Sequence, residues 1–136
     1  MNKSIATKTF LAISGIILIG IGGALLFAPE AFQASSGIDL GGNINLLSET
    51  RATGGLLFSA GFVVVLGAFK TAMAQASVVL SSLIYLSYGA SRILSMVMDG
   101  VPDHSLVAAT GAEIILGTLG LLVFLISKET KSFRQA

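Results

Sequence analysis

The sequence has little charge and no cysteine, and both shortages limit what the protein can be. Of its 136 residues, 11% are charged and 54% are hydrophobic, with a mean hydropathy of +0.89. Soluble domains carry about 25% charged residues, so this chain cannot cover a water-facing surface. The absence of cysteine excludes disulfides, thiolate metal sites and a cysteine nucleophile. The composition predicts an integral membrane protein with a single domain over residues 1–136.

Long hydrophobic runs predict the architecture. Each is close to the ~20 residues that a helix needs to cross a bilayer. The four runs cover residues 10–28, 49–69, 74–98 and 106–127. The first exceeds the 7–15-residue core of a signal peptide, so we predict that it is a retained membrane helix. The predicted fold is all-α, an integral membrane four-helix bundle with up-down topology.

The segment between the first two runs carries its own helix signals. Pro29 ends the first helix because proline cannot continue the hydrogen-bond ladder. We expect the following residues to lie along the membrane interface, with a short helix near Ala31. Asn43 or Asn45 is expected to cap the second long helix.

Lysine and arginine are distributed unequally over the connections between the runs. The two connections at 29–48 and 99–105 contain neither residue and carry acidic side chains instead (Glu30, Asp39, Asp99 and Asp103). The termini and the remaining connection hold Lys3, Lys8, Lys70, Lys128, Lys131 and Arg134. By the positive-inside rule both termini are cytoplasmic. The predicted location is a bacterial inner membrane, crossed several times.

Ionisable residues in or against the hydrophobic runs mark the candidate site. They are Glu49, Arg51, Arg92 and Glu113. Each costs at least ~3 kcal/mol in hydrocarbon, so such residues usually face a partner or a wet cavity. At 1.5 Å per residue, Arg92 and Glu113 lie roughly 9–10 Å below the outer ends of neighbouring helices. We therefore expect a buried arginine–carboxylate salt bridge, which can be bidentate.

The helix face around Arg92 extends this site. Positions three, four and seven residues away include Tyr85, Tyr88, Ser95 and Asp99. Together with Glu49, Arg51, Arg92 and Glu113 they form the predicted ligand-binding set of an outward-facing polar pocket. The ligand expected there is small and amphipathic, such as a lipid, a quinone or an isoprenoid, with an anionic or carbonyl group held by Arg92 and Arg51.

Two other functional interpretations stay open. The protein could be a membrane enzyme that acts on a lipid-like substrate with Glu113 as acid or base. It could also be a scaffold or accessory subunit in which the ion pair is structural, acting as a homo-oligomer or with a membrane partner. We expect no metal or cofactor, since His104 has only Asp99 and Asp103 nearby. No nucleic-acid patch or nucleotide fingerprint is present.

Three short motifs resemble the pattern of a known family. They are Glu49–Gly55, Arg92–Ser95 followed by Asp99–Pro102, and the lone Glu113. Their order and spacing are similar to those of a bacterial family of small four-helix membrane proteins, domain of unknown function 4345. A looser similarity is to DoxX-like membrane proteins. The resemblance implies the four-helix fold and the importance of these positions, and implies no chemistry.

Overall fold

The structure is a computed structural model that describes the backbone of residues 3–132 and the side chains of residues 5–127. It is helical, and the helices are α1 (Lys3–Phe27), α2 (Pro29–Ala34), α3 (Ile44–Phe69), α4 (Thr71–Asp99) and α5 (His104–Ser132). The basic side chains of Lys3, Lys128, Lys131 and Arg134, used above to orient the chain, lie outside the described residues.

Four of the helices are long and apolar enough to cross a membrane. The apolar segments are Ile5–Phe27, Ile44–Phe69, Thr71–Asp99 and His104–Ser127. Large hydrophobic side chains cover their outward faces; Phe69, for example, is 78% exposed and Ile16 is 63% exposed. Such faces suit contact with lipid and not with water. The all-helical class and the number of long apolar helices are confirmed.

The connections follow the local signals in the sequence. Pro29 is the first residue of α2, where its missing N–H costs nothing, so the predicted short helix near Ala31 is confirmed. Asn43, and not Asn45, caps α3, because its side-chain oxygen accepts hydrogen bonds from the N–H groups of Asn45 and Leu46. Lys70 alone separates α3 from α4.

Glycines bring α1 and α3 into backbone contact. A Cβ atom added to Gly22 would lie 2.3 Å from the backbone nitrogen of Phe58 and 2.8 Å from the carbonyl oxygen of Gly54. One at Gly15 would lie 3.0 Å from the carbonyl oxygen of Gly61. Since apolar helices gain no hydrophobic drive to associate in lipid, this close approach is what holds the pair together.

The second close pair is α4 with α5. A Cβ atom at Gly117 would lie 3.0 Å from the backbone nitrogen of Leu86, and one at Gly89 would lie 2.6 Å from the side chain of Ile114. Close to Lys70, Gly67 of α3 packs against Ser77 of α4. The bundle is thus built from two close helix pairs that meet beside a one-residue connection.

The core lies where α1, α3 and α4 face each other. Leu11, Leu18, Val64 and Val78 are at most 2% exposed and belong to one buried cluster that also contains Tyr85. The Tyr85 hydroxyl donates a 2.7 Å hydrogen bond to the carbonyl oxygen of Ser14. This bond crosses the core and fixes α4 against α1.

The two ends of the bundle differ in charge, and we name them accordingly. The acidic end contains α2, the connections of residues 35–43 and 100–103 and the last residue of α4, with Glu30, Asp39, Asp99 and Asp103. The basic end contains the start of α1 and the α3–α4 connection, with Lys8 and Lys70.

Candidate functional site

A cavity of about 340 Å³ lies between the four long helices in the half of the bundle nearer the acidic end. Each long helix and α2 contribute to its wall. The lining residues are Leu18, Ile21, Leu25, Phe32, Gln33, Ser36, Glu49, Thr50, Thr53, Leu57, Ile84, Tyr85, Tyr88, Arg92, Ser105, Leu106, Ala109 and Glu113. Its volume and mostly apolar wall with a few polar groups are typical of small-molecule sites.

Arg92 and Glu113 meet in the wall of this cavity. The Nε atom of Arg92 lies 3.2 Å from both carboxylate oxygens of Glu113 and donates its hydrogen bond to Oε1. The pair forms because Arg92 on α4 and Glu113 on α5 lie at similar depths on neighbouring helices that are held together by Gly89 and Gly117.

Two details of this pair differ from the prediction. The salt bridge is not buried, since the side chains of Arg92 and Glu113 are 31% and 15% exposed. It is not a bidentate fork either, because a single nitrogen serves both oxygens. The physical reason is the cavity itself: both residues line it, so their side chains border an open space and are not enclosed by packed protein.

Three other predicted residues also line the cavity. Glu49 contributes from the second turn of α3, and Tyr88 lies one turn from Arg92 along α4. Tyr85 lies a further turn away from the acidic end, with its hydroxyl already bonded to Ser14. The structure therefore brings together five of the eight residues that the sequence singled out.

The remaining three do not line the cavity. Arg51 turns away from it, and its Nη1 atom donates to the carbonyl oxygen of Leu26 near the end of α1. Arg51 thereby satisfies a carbonyl that the end of α1 leaves without a helical partner. Ser95 donates a 3.0 Å hydrogen bond to Asp99, and both side chains are exposed beyond the cavity.

Sequence reasoning missed several lining residues. On α3, Thr50, Thr53 and Leu57 share a helical face with Glu49, a spacing that was visible in the sequence. On α1, Leu18 and Ile21 could not be singled out, because that helix is apolar on every side. Other missed residues are Leu25, Phe32, Gln33, Ser36, Ile84, Ser105, Leu106 and Ala109.

Several polar groups of the wall are already satisfied by the protein. The hydroxyls of Thr50 and Thr53 donate to carbonyl oxygens of their own helix, at 2.7 and 3.0 Å. The Ser105 hydroxyl donates to Asp103 at 2.7 Å. A ligand would have to break these bonds to use the groups as donors, so they are poor candidates for recognition.

Other polar groups in the wall have capacity to spare. Within residues 5–127, the terminal nitrogens of Arg92 and the hydroxyl of Tyr88 have no hydrogen-bond partner. Glu113 Oε2 is shielded from solvent and accepts no hydrogen bond, although Arg92 Nε is close by. Because Arg92 and Tyr88 line the cavity, their free donors are the groups that a bound molecule could reach, whereas the enclosed Oε2 atom of Glu113 is not open to it.

Asp103 lies in the connection before α5 and contacts Ser105, a residue of the cavity wall. Its carboxylate accepts hydrogen bonds from the hydroxyl and the backbone N–H of Ser105, at 2.7 and 2.9 Å. These bonds, the hydroxyl's first, hold the pKa of the Asp103 carboxyl below its usual value. Asp103 thus stays ionised at the start of α5, where the helix dipole favours an anion.

In the described part of the chain no group of three or more histidine, aspartate or glutamate side chains is arranged to hold a metal ion. The neighbouring charges of the cavity are a carboxylate and a guanidinium that already pair with each other.

A family model matches residues 6–124, which is most of the chain. Its description is Domain of unknown function (DUF4345). The chain belongs to this family. The match contains all three motifs that carried the resemblance, so the assignment to the DUF4345 family is confirmed. No match was found among curated proteins or among solved structures. Membership of the DUF4345 family therefore brings no activity with it, and the function has to be argued from the cavity.

Proposed function

We propose that this DUF4345 protein binds a small amphipathic or lipid-like ligand in the cavity at its acidic end. The observation that carries the proposal is the set of unused hydrogen-bond donors on Arg92 and Tyr88, two residues that line, beside Glu113, a cavity of about 340 Å³ with a mostly apolar wall. The terminal nitrogens of Arg92 would bind a carbonyl or anionic oxygen of the ligand, because they are donors with no acceptor.

The apolar part of the ligand has a separate wall. From α1, Leu18, Ile21 and Leu25 line the cavity, and they repeat every three to four residues along one face of that helix. Facing them on α5 are Leu106 and Ala109. A molecule with a polar head and an apolar tail would therefore satisfy both kinds of surface, whereas a fully polar solute would leave these side chains unused.

The membrane arrangement is part of the proposal. We infer an up-down bundle in a bacterial inner membrane, with both termini cytoplasmic and the acidic end outside. Lys8 and Lys70 at the basic end, with the lysines and arginine of the two termini, support this orientation through the positive-inside rule.

The absence of cysteine allows a clean test of orientation. Single variants Asp39→Cys and Lys70→Cys would each carry one thiol. In intact spheroplasts, a membrane-impermeant maleimide should label Asp39→Cys at once and Lys70→Cys only after lysis. The opposite pattern would reverse the proposed orientation and place the cavity on the cytoplasmic side.

The binding proposal is tested by native mass spectrometry of protein purified in nanodiscs, followed by analysis of the retained lipids. Wild type should keep a defined small molecule, and Arg92→Gln and Glu113→Gln should each lose it. Arg51→Gln and Glu30→Gln are the matched controls, since they remove the same charges from residues that do not line the cavity. Equal retention by all five proteins would refute the site.

A single charge variant can fail by unfolding, because it leaves the other charge without its partner. The double variant with Arg92→Gln and Glu113→Gln avoids this, since both side chains become neutral. Folded protein that has lost its ligand supports binding. If the double variant is folded and retains the same molecule, Arg92 and Glu113 do not bind it.

A further inference from the structure

The charges in the cavity wall do not add up to an anion-binding site. Glu49 and Glu113 supply two carboxylates, whereas Arg92 supplies the one guanidinium in the lining. Arg51, the other arginine near this end, is engaged with the carbonyl of Leu26 and does not line the cavity. If Glu113 is ionised the wall has a net negative charge, and if Glu113 is neutral the wall has no net charge. Neither state favours a ligand that is only anionic.

Glu49 is the carboxylate that remains available. Within the described residues the salt bridge is between Arg92 and Glu113, and the Glu49 side chain takes part in none. It is exposed at the rim of the cavity. Its backbone carbonyl is used by Thr53, but the carboxylate is not. A cationic group on a ligand would be its natural partner.

The position of Glu49 relative to Arg92 and Glu113 sets the order of the two groups on the ligand. Measured from the starts of their helices, Glu49 is five residues into α3 and Glu113 is nine residues into α5. At 1.5 Å per residue, Glu49 is therefore roughly 6 Å closer to the acidic end. A cation at Glu49 would lie on the outer side of an anionic or carbonyl oxygen at Arg92. Phe32 of α2 lines the same cavity and offers an aromatic ring to a cation.

The gap between α1 and α5 gives the apolar tail of such a ligand a path into the bilayer. Toward the basic end, α1 and α5 touch, with Phe10 packed near Gly120 and the Thr7 and Ser127 hydroxyls 3.4 Å apart. Toward the acidic end, the cavity lies between these same two helices, and Ile21 in its wall is also 37% exposed. A chain attached to a head at Arg92 would run along this apolar surface between α1 and α5 into the surrounding bilayer.

We propose that the ligand is a lipid with a zwitterionic head group, its ammonium at Glu49 and its phosphate or carbonyl oxygen at Arg92. This inference rests on the binding function proposed above and adds the head-group class. A lipid whose head is only anionic, such as phosphatidylglycerol, would meet Glu49 without a balancing charge and is disfavoured.

The test uses nanodiscs with equal amounts of phosphatidylethanolamine and phosphatidylglycerol that carry identical acyl chains. Native mass spectrometry gives the ratio of the two lipids retained by the protein. Wild type should enrich phosphatidylethanolamine roughly fivefold or more, which corresponds to about 1 kcal/mol. Glu49→Gln should bring the ratio close to that of the bilayer, because the carboxylate that selects the ammonium has been removed. Glu30→Gln, an exposed carboxylate outside the cavity, should keep the wild-type ratio.

The outcomes separate the two proposals. If wild type retains no more lipid than the double variant with Arg92→Gln and Glu113→Gln, the binding function itself is wrong. If lipid is retained but phosphatidylglycerol is preferred, or if Glu49→Gln leaves the ratio unchanged, the cavity binds lipid and the zwitterionic assignment is overturned. Repeating the wild-type measurement with phosphatidylcholine in place of phosphatidylethanolamine would show whether a quaternary ammonium serves as well as a primary one.

Discussion

Helix α1 has two very different neighbours. On one side it approaches α3 so closely that Gly15 and Gly22 leave no room for a Cβ atom. On the other side it touches α5 near Phe10 and is separated from it by the cavity at Leu18 and Ile21. The α1–α3 contact, which we call the closed seam, is formed by glycine and backbone. The α1–α5 gap, which we call the open seam, is lined by branched apolar side chains. Apolar residues alone therefore do not determine whether two membrane helices close; the size of the residues at the contact does.

The largest effect is expected from opening the closed seam. Gly22→Ala puts a methyl group 2.3 Å from the backbone nitrogen of Phe58, so the helices have to separate. We expect a loss of about 1–3 kcal/mol in the free energy of unfolding, the usual size for overpacking. Gly20→Ala is the control, since nothing lies within 4 Å of a Cβ atom there. Denaturant unfolding in detergent measures both, and equal stability of the two variants would contradict the close packing.

The next effect comes from filling the open seam. Ala109→Phe places an aromatic ring in the cavity wall between α1 and α5. We expect ligand retention in nanodiscs to fall about tenfold or more while the protein stays folded, since the space and not a charge has been removed. Ala108→Phe adds the same ring at an exposed neighbouring position outside the lining and should bind as wild type does. Undiminished retention by Ala109→Phe would mean that the ligand lies elsewhere.

A smaller effect tests how α4 is held against α1. Tyr85→Phe removes the hydrogen bond to the Ser14 carbonyl and leaves that buried oxygen with one donor fewer. The expected cost is about 1 kcal/mol of unfolding free energy. Tyr88→Phe is the matched control, because its hydroxyl has no partner within residues 5–127 and its loss should leave stability unchanged. A destabilised Tyr88→Phe protein would show that this hydroxyl is engaged.

The smallest effect concerns Asp103, in the connection before α5, and depends on pH. Hydrogen bonds from Ser105 lower the pKa of Asp103 in the folded protein, so folding favours its ionised form. The stabilisation is therefore present at neutral pH and is lost as the pH falls through the lowered pKa. The difference in melting temperature between wild type and Asp103→Ala should shrink on acidification from pH 7 to pH 3. In a Ser105→Ala background, which lacks the donor hydroxyl, Asp103→Ala should lower the melting temperature at pH 7 by less than it does in the wild-type background.

The sequence predicted the α1–α5 gap poorly. It paired Arg92 with Glu113 correctly but wrongly expected their salt bridge to be buried. Arg92 and Glu113 could be paired because helix geometry gives their depths, and their high cost in lipid demands a partner. The side chain of Arg51 could not be oriented, because whether it turns to the cavity or to the end of α1 depends on where α1 stops. Leu18 and Ile21 carry no signal for the cavity, since both faces of α1 are apolar.

The connection between α3 and α4 is the point about which any rotation between the two close helix pairs would take place. Lys70 is the single residue between two close helix pairs, α1 with α3 and α4 with α5. From it to Arg92 there are twenty-two residues of helix, a lever of about 33 Å. A rotation of about 5° between the pairs would displace Arg92 by roughly 3 Å. Such a rotation would also move Tyr85 of α4 away from Ser14 of α1, so the hydrogen bond between them opposes any opening of the cavity at the acidic end.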